Sequence, residues 1–167
     1  CIHLSDEEID TLVARGTGVA HCPTSNFDLT SGILNTIKLM NRGVKVGLGT
    51  DVSGGHSSSI LTAARDAITA SKILCMQEEN TEQLDYKDAF FLATLGGSQA
   101  LGLDDEIGNF LPGKCFDAII VDPSVQDSNI DIFDFDTIED VISKFVYLGD
   151  DRNIVQVYVE GELIHKK

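Results

Sequence analysis

The sequence predicts an α/β fold built on parallel strands, followed by a small β part. Three observations carry this. Residues 44–48 form a short apolar run that leads through Gly49-Thr50 to Asp51, and residues 18–22 form a second such run carrying His21 near its end. A helix-length segment lies between them, and short helix-to-strand connections alternating with apolar strands mark βαβ units and a parallel sheet. From Ile107 onward the pattern changes to turn residues and further strands.

Taken in order, Ser5-Asp6-Glu7-Glu8 reads as a capping box, a hydroxyl followed three residues later by a carboxylate that returns the bond. The helix it opens carries Ile9, Leu12 and Val13 on one face and stops near Gly16. A buried strand over 18–22 follows, then a polar, turn-rich loop over 23–31. The next helix carries Ile33, Leu34, Ile37, Leu39 and Met40 and ends at Asn41-Arg42-Gly43, where the 44–48 strand begins. Past Asp51 the chain runs through a polar loop, Ser53-Gly54-Gly55-His56-Ser57-Ser58-Ser59, which also offers helix caps. A long helix is expected over 60–75, a polar surface connection over 77–85, and a helical pair over 86–101 broken at Gly96-Gly97. Residues 108–114 read as a turn and 116–121 as a strand. Residues 124–140 lack clean periodicity and read as loop, with a short helix after it. Residues 146–148 and 154–159 are strand candidates, the second alternating Val155, Val157 and Val159, and Glu160-Gly161 is a two-residue hairpin turn before Leu163-Ile164. The chain therefore divides near residue 102, into 1–101 and 102–167.

Composition narrows the function classes. A chain of 167 residues is one domain or a partial domain with a small satellite, and 43% hydrophobic residues are enough for a core. Twenty-seven acidic against 12 basic residues argue against nucleic-acid backbones and anionic membranes, both of which call for Lys and Arg. The acidic stretch over 127–140 reads as a solvated face. Cysteines at 1, 22, 75 and 115 form no CxxC pair, which fits free thiols in a reducing compartment and a cytoplasmic protein. No apolar run approaches the ~20 residues of a membrane span. The opening on Cys1 and the small number of parallel strands, too few to close a barrel, lead to the expectation of a fragment.

Several motifs resemble the amidohydrolase superfamily: His21-Cys22-Pro23-x-Ser25-Asn26, Gly49-Thr50-Asp51, and Ala93-Thr94-x-Gly96-Gly97-x-x-Ala100-Leu101-Gly102 followed by Ile107-Gly108 and Pro112-Gly113-Lys114. Two sharper ones, Asp51-Val52-Ser53-Gly54-Gly55 and the run from Lys144 through Leu148-Gly149-Asp150-Asp151-Arg152-Asn153 to Ile154, resemble the guanine deaminases within it. The resemblance covers essentially the whole chain. It implies the C-terminal part of a (β/α)8 metal-dependent hydrolase barrel, its last two strands and their helices over 1–101, followed by the C-terminal part of a small β domain over 102–167. It further implies hydrolysis of guanine to xanthine and ammonia, a small-molecule purine substrate, a homodimer and one Zn2+. That zinc would be held by an HxH pair, two further histidines and a strand-eight Asp. Only the Asp has a counterpart here, as Asp51, and the general acid/base Glu has none, so the fragment is expected to be inactive alone. Two alternatives remain open: another deaminase or chlorohydrolase of the superfamily, or a non-catalytic truncated binding or dimerisation module.

Asp51 and His21 lie where parallel α/β barrels keep their chemistry, at the C-terminal ends of strands. One Asp and one His cannot by themselves hold a catalytic metal, which takes three or more protein ligands. Asp51 reads either as a metal ligand that also takes a proton from water, or as a cap for nearby backbone N–H groups. His21 reads either as a hydrogen-bond donor beside the substrate, or as a satisfied, partly buried residue that pins its loop. Ser25 and Asn26 either shape the purine pocket or bond within their own loop. His56 reads as a surface residue or lid contact, and His3 and His165 as surface residues. Cys22 has no evident base and packs as a small apolar residue. Gly54-Gly55 lacks the Lys and helix-opening hydroxyl of a phosphate loop.

Overall fold

The computed structural model describes residues 1–77 and 82–167. The expected surface connection over 77–85 falls in part on residues 78–81, outside the described residues.

Helix α1 (Asp6–Arg15) opens on the capping box. The Glu8 N–H donates to Ser5 Oγ at 3.3 Å, and the Ser5 N–H donates to Glu8 Oε2 at 2.7 Å. The helix ends at Gly16, whose φ of 63° is the left-handed turn that glycine takes without a Cβ penalty. Strands β1 (Gly18–His21) and β2 (Lys45–Leu48) then pair in parallel, from Gly18↔Lys45 to His21↔Leu48, with helices α2 (Pro23–Asp28) and α3 (Thr36–Asn41) between them. The register brings His21 to the same end of the sheet from which the chain leaves β2 toward Asp51.

Two local expectations are corrected here. The loop over 23–31 contains helix α2: Pro23 at its first turn presets the helical φ, and Thr24 Oγ1 donates to Asp66 Oδ2 at 2.7 Å, tying α2 to the following long helix. The next helix is shorter than its apolar residues suggest, because Asn35 caps it by accepting from the Lys38 N–H at 2.9 Å.

Helix α4 (Ile60–Gln77) lays Ala63, Ala64, Ala67, Ile68, Ala70 and Ser71 into the core. Helices α5 (Tyr86–Ala93) and α6 (Leu95–Leu101) break at Thr94 rather than at Gly96-Gly97. The glycines belong inside α6 because they let the helix lie against the sheet. A Cβ on Gly47 would stand 2.7 Å from the Gly97 Cα, one on Gly96 2.8 Å from the Val46 carbonyl oxygen, and one on Gly18 2.1 Å from the Ala100 carbonyl oxygen. The core beneath is assembled from Ile9, Val19, Leu39, Val46, Ile68 and Leu92, all buried.

Beyond residue 102 lie β3 (Ala118–Val121), α7 (Ile138–Leu148), a single 3-10 turn (Asp151–Asn153), β4 (Ile154–Val159) and β5 (Glu162–Lys166). The three strands form an antiparallel sheet in the order β3-β4-β5. Its hairpin turn is Glu160-Gly161, with φ of 50° and 82°, the pair of left-handed residues that a tight turn between twisted strands requires.

The strand expected over 146–148 is the last turn of α7. Locally, Val146-Tyr147-Leu148 is as good a strand as a helix. What decides is a second capping box, with Thr137 and Asp140 exchanging bonds at the helix start, and burial of Phe145 and Val146 on one face. Arg65 completes the helix end: its Nε donates to the Val146 carbonyl at 2.8 Å and its Nη2 to the Gly149 carbonyl. Helix α7 thus packs back onto α4 and α5. Among the described residues no helix is long and apolar enough to cross a membrane.

Candidate active site

A cavity of about 680 Å³ opens at the C-terminal ends of β1 and β2, lined among others by His3, Glu8, His21, Cys22, Asn26 and Asp51. The parallel pairing runs one bond past β2, where the Gly49 N–H donates to the His21 carbonyl at 2.9 Å. A Cβ at 49 would stand 2.8 Å from Cys22 Sγ, so the glycine leaves room for that thiol. Two residues later Asp51 turns with φ of 47°, its carbonyl accepting the Gly55 N–H at 2.9 Å. Asp and Asn tolerate that conformation better than most residues.

The Asp51 carboxylate caps no backbone N–H among the described residues. Its Oδ2 accepts the Ser25 hydroxyl at 2.7 Å, and its Oδ1 carries no hydrogen bond among the described residues. Ser25 is therefore engaged with Asp51 rather than with its own loop, while Asn26, half-buried beside it, lines the cavity.

His21 is 1% exposed, and neither ring nitrogen has a partner among the described residues. The reading of His21 as a satisfied residue pinning its loop does not match this geometry. A buried imidazole without bonds is costly, and a partner entering the cavity would relieve that cost. Burial lowers its pKa from an ordinary 6.5 to about 4, which keeps the ring neutral at pH 7, with one N–H donor and one acceptor.

A pH dependence follows. In the unfolded chain His21 takes up its proton near 6.5, whereas in the folded chain it does so only near 4. The unfolded state therefore binds more protons between those values, so stability is full above 6.5 and declines as pH falls toward 4. The decline amounts to about 3 kcal/mol, roughly 1.4 kcal/mol for each unit of pKa difference. Denaturant unfolding across this window should show the slope in the wild-type protein and a flatter one in His21→Gln. An unchanged slope in the variant would assign the effect to another group.

The other histidines and Cys22 resolve simply. His56 donates from its backbone N–H and from Nδ1 to Asp28 Oδ2, at 3.0 and 2.9 Å, clasping the loop after Asp51 to the end of α2. His3 bonds the Ser31 carbonyl through Nε2 at 3.0 Å and lines the cavity, a position its sequence context does not signal. Glu8 lines it as well; the capping box had accounted for that residue in full. Burial, and after it the charge of Asp51, push the Cys22 thiol up, so it stays protonated and is no nucleophile.

The free carboxylate oxygen of Asp51 is a donor type that zinc takes, and it fits one corner of a zinc site. It does not complete one: among the described residues no group of three or more His, Cys, Asp or Glu could hold a metal ion.

Comparison with known proteins gives the context. The family model of the amidohydrolases matches residues 1–164. The chain belongs to the amidohydrolase family. Within it, guanine deaminase of Homo sapiens is 54% identical over 166 residues, covering 97% of this chain and 37% of that protein. The structure of Escherichia coli guanine deaminase superposes with a TM-score of 0.89 at 38% identity, over 100% of this chain and 38% of that one. An adenosine deaminase from Xanthomonas campestris, solved with bound zinc, aligns with a TM-score of 0.83 at 27% identity, over 99% of this chain and 36% of that one. The amidohydrolase-type α/β fold and the resemblance to guanine deaminases are thus both borne out. The chain spans a little over a third of the length of these relatives. Zinc is bound in some of these neighbours' structures, such as the last.

Proposed function

We propose that this amidohydrolase chain is the C-terminal, metal-facing part of a zinc-dependent guanine deaminase, which converts guanine and water to xanthine and ammonia. One observation carries the reading. The free Oδ1 of Asp51 and the unpartnered ring of His21 share one cavity, at the C-terminal ends of adjacent parallel strands. Residues 1–101 would then be the last two strands and the helices of a (β/α)8 barrel, and 102–167 part of a small β domain. Asp51 would hold the metal. When bound, zinc supplies the acidity that makes a water nucleophilic at neutral pH.

The chain's own groups divide the remaining work. Asp51 takes the proton released by the attacking water. Neutral His21 donates a hydrogen bond to the purine, and Asn26 shapes the wall against which the purine lies. The remaining histidine ligands and the general acid/base Glu are not among the described residues, so the chain alone would lack activity and hold zinc weakly. The reading extends to a cytoplasmic enzyme acting as a homodimer on a small purine.

The likeness to an adenosine deaminase favours a second reading, a related heterocycle as substrate. A third, a non-catalytic binding or dimerisation module, draws on the incomplete donor set. The test takes the protein at the length of its relatives, with its zinc measured, and follows ammonia release from guanine, adenosine and triazines. Release from guanine alone supports the proposal. Release from adenosine or a triazine but not guanine moves it to the second reading, and no release from a folded, zinc-loaded protein moves it to the third.

A further inference from the structure

Ser25 and Asp51 are joined across 26 residues of chain by a hydroxyl that donates to one carboxylate oxygen, Oδ2, at 2.7 Å. Ser25, the donor, is 3% exposed. Its neighbour Thr24 turns the other way, to Asp66. Beside this hydrogen bond the chain passes through Gly54. A Cβ there would stand 2.8 Å from Asp51 Oδ2, 3.0 Å from Ser25 Oγ and 3.1 Å from the Asp51 carbonyl oxygen. A Cβ on Gly55 would stand 2.8 Å from the Thr50 carbonyl oxygen and 3.0 Å from the Ser25 backbone nitrogen. Neither glycine has a positive φ. Both are therefore glycine for closeness and not for backbone conformation.

The terminal torsion of a carboxylate is broad and nearly two-fold, so an unrestrained Asp51 would offer either oxygen to the cavity. We infer that Ser25 is a positioning residue that holds Asp51 Oδ2, with Gly54 closing in beside that bond, so that Oδ1 alone is presented to the metal. This rests on the reading of Asp51 as a zinc ligand. It assigns Ser25 to the carboxylate and not to the purine, and it gives Asp51-Val52-Ser53-Gly54-Gly55 a physical reason: its two glycines let the loop fold back over the Ser25 turn.

The test is a double-mutant cycle on the protein at the length of its relatives, read by zinc retention against a competing chelator. Ser25→Ala should weaken zinc about 10- to 100-fold, the usual effect of removing a group that orients a ligand. In an Asp51→Ala background the same change should alter retention by no more than about twofold, since the serine acts only through that carboxylate. Equal losses in both backgrounds would show that Ser25 acts through packing, and would overturn the inference. Gly54→Ala is the second variant, usable even if Ser25→Ala fails to fold: its methyl should crowd both partners of the Ser25–Asp51 bond and loosen zinc, and wild-type retention would overturn the cradle. If the protein turns over guanine, Ser25→Ala should also lower kcat and leave KM near its wild-type value. Absence of guanine turnover together with intact coupling in the zinc cycle would leave the positioning role standing and remove only the substrate. Guanine turnover without coupling would remove the positioning role alone.

Discussion

In the protein at the length of its relatives, Asp51→Ala is expected to release the zinc and with it the proposed deamination, lowering kcat about a thousandfold, the upper range for removing one electrostatic contributor at a reacting centre. Among the described residues the proposed site has a single carboxylate at the end of β2; Glu8, which also lines the cavity, is held by its own capping box. The fold should survive. Asp51 is exposed, and its side chain has one hydrogen bond, to Ser25, so unfolding should shift by about 1 kcal/mol, most of it from placing alanine at a φ of 47°. Zinc content, kcat on guanine and a thermal melt, taken together, check the prediction. Zinc and turnover should be lost while the melt stays close to wild type. Near-normal turnover would remove Asp51 from the metal. Asp51→Asn sharpens the result, because it keeps an oxygen to accept from Ser25 but removes the charge, so it should fold like the wild type and still fail to turn over.

Gly18→Ala should be strongly destabilising. Its Cβ would be placed 2.1 Å from the Ala100 carbonyl oxygen and 2.6 Å from the Ala100 Cα, both backbone atoms that no rotamer change can move. Helix α6 would have to lift off β1, and with it the approach of Gly97 to Gly47 would open. Overpacking of this kind costs about 3 kcal/mol, a fall in melting temperature on the order of 10 °C for a chain of this size. Gly16→Ala is the control. Nothing lies within 4 Å of its would-be Cβ, so it loses only the ease of a left-handed cap, about 1 kcal/mol. Equal losses in the two variants would mean that helix–sheet closeness is not what Gly18 provides. Because the same displacement would shift the sheet that carries His21, activity should fall with stability in Gly18→Ala and not in Gly16→Ala.

Elements whose bonds close within a few residues were readable from the sequence. The Ser5–Glu8 box, the Gly16 stop and the Glu160-Gly161 turn are each completed by neighbours in the chain, so local chemistry settles them. The two strands and the residues at their ends were readable for a related reason: buried parallel strands are apolar along their whole length, and polar residues at their tips stand out. Elsewhere local chemistry was ambiguous. Thr24, Ser25 and Asn26 have turn-like side chains, yet α2 forms because Thr24 finds Asp66 more than 40 residues away. Val146-Tyr147-Leu148 opens on a β-branched and an aromatic residue, yet it stays helical: the Thr137–Asp140 box starts that helix, and Arg65, from a distant helix, binds the carbonyls at its end. Gly96-Gly97 looked like a break, and it is the contact that brings α6 onto the sheet.

The candidate site divides in the same way. The sequence by itself determined that a carboxylate and an imidazole would stand at the ends of adjacent parallel strands, because strand period and direction are local properties. Only the tertiary structure decided what each can do there. The lack of partners that leaves His21 free for a ligand, the bond that ties Ser25 to one Asp51 oxygen, and the space kept by Gly54 depend on groups brought together from distant parts of the chain. Burial and hydrogen-bond satisfaction are properties of the packed molecule, and they set the protonation and orientation on which the proposed chemistry depends.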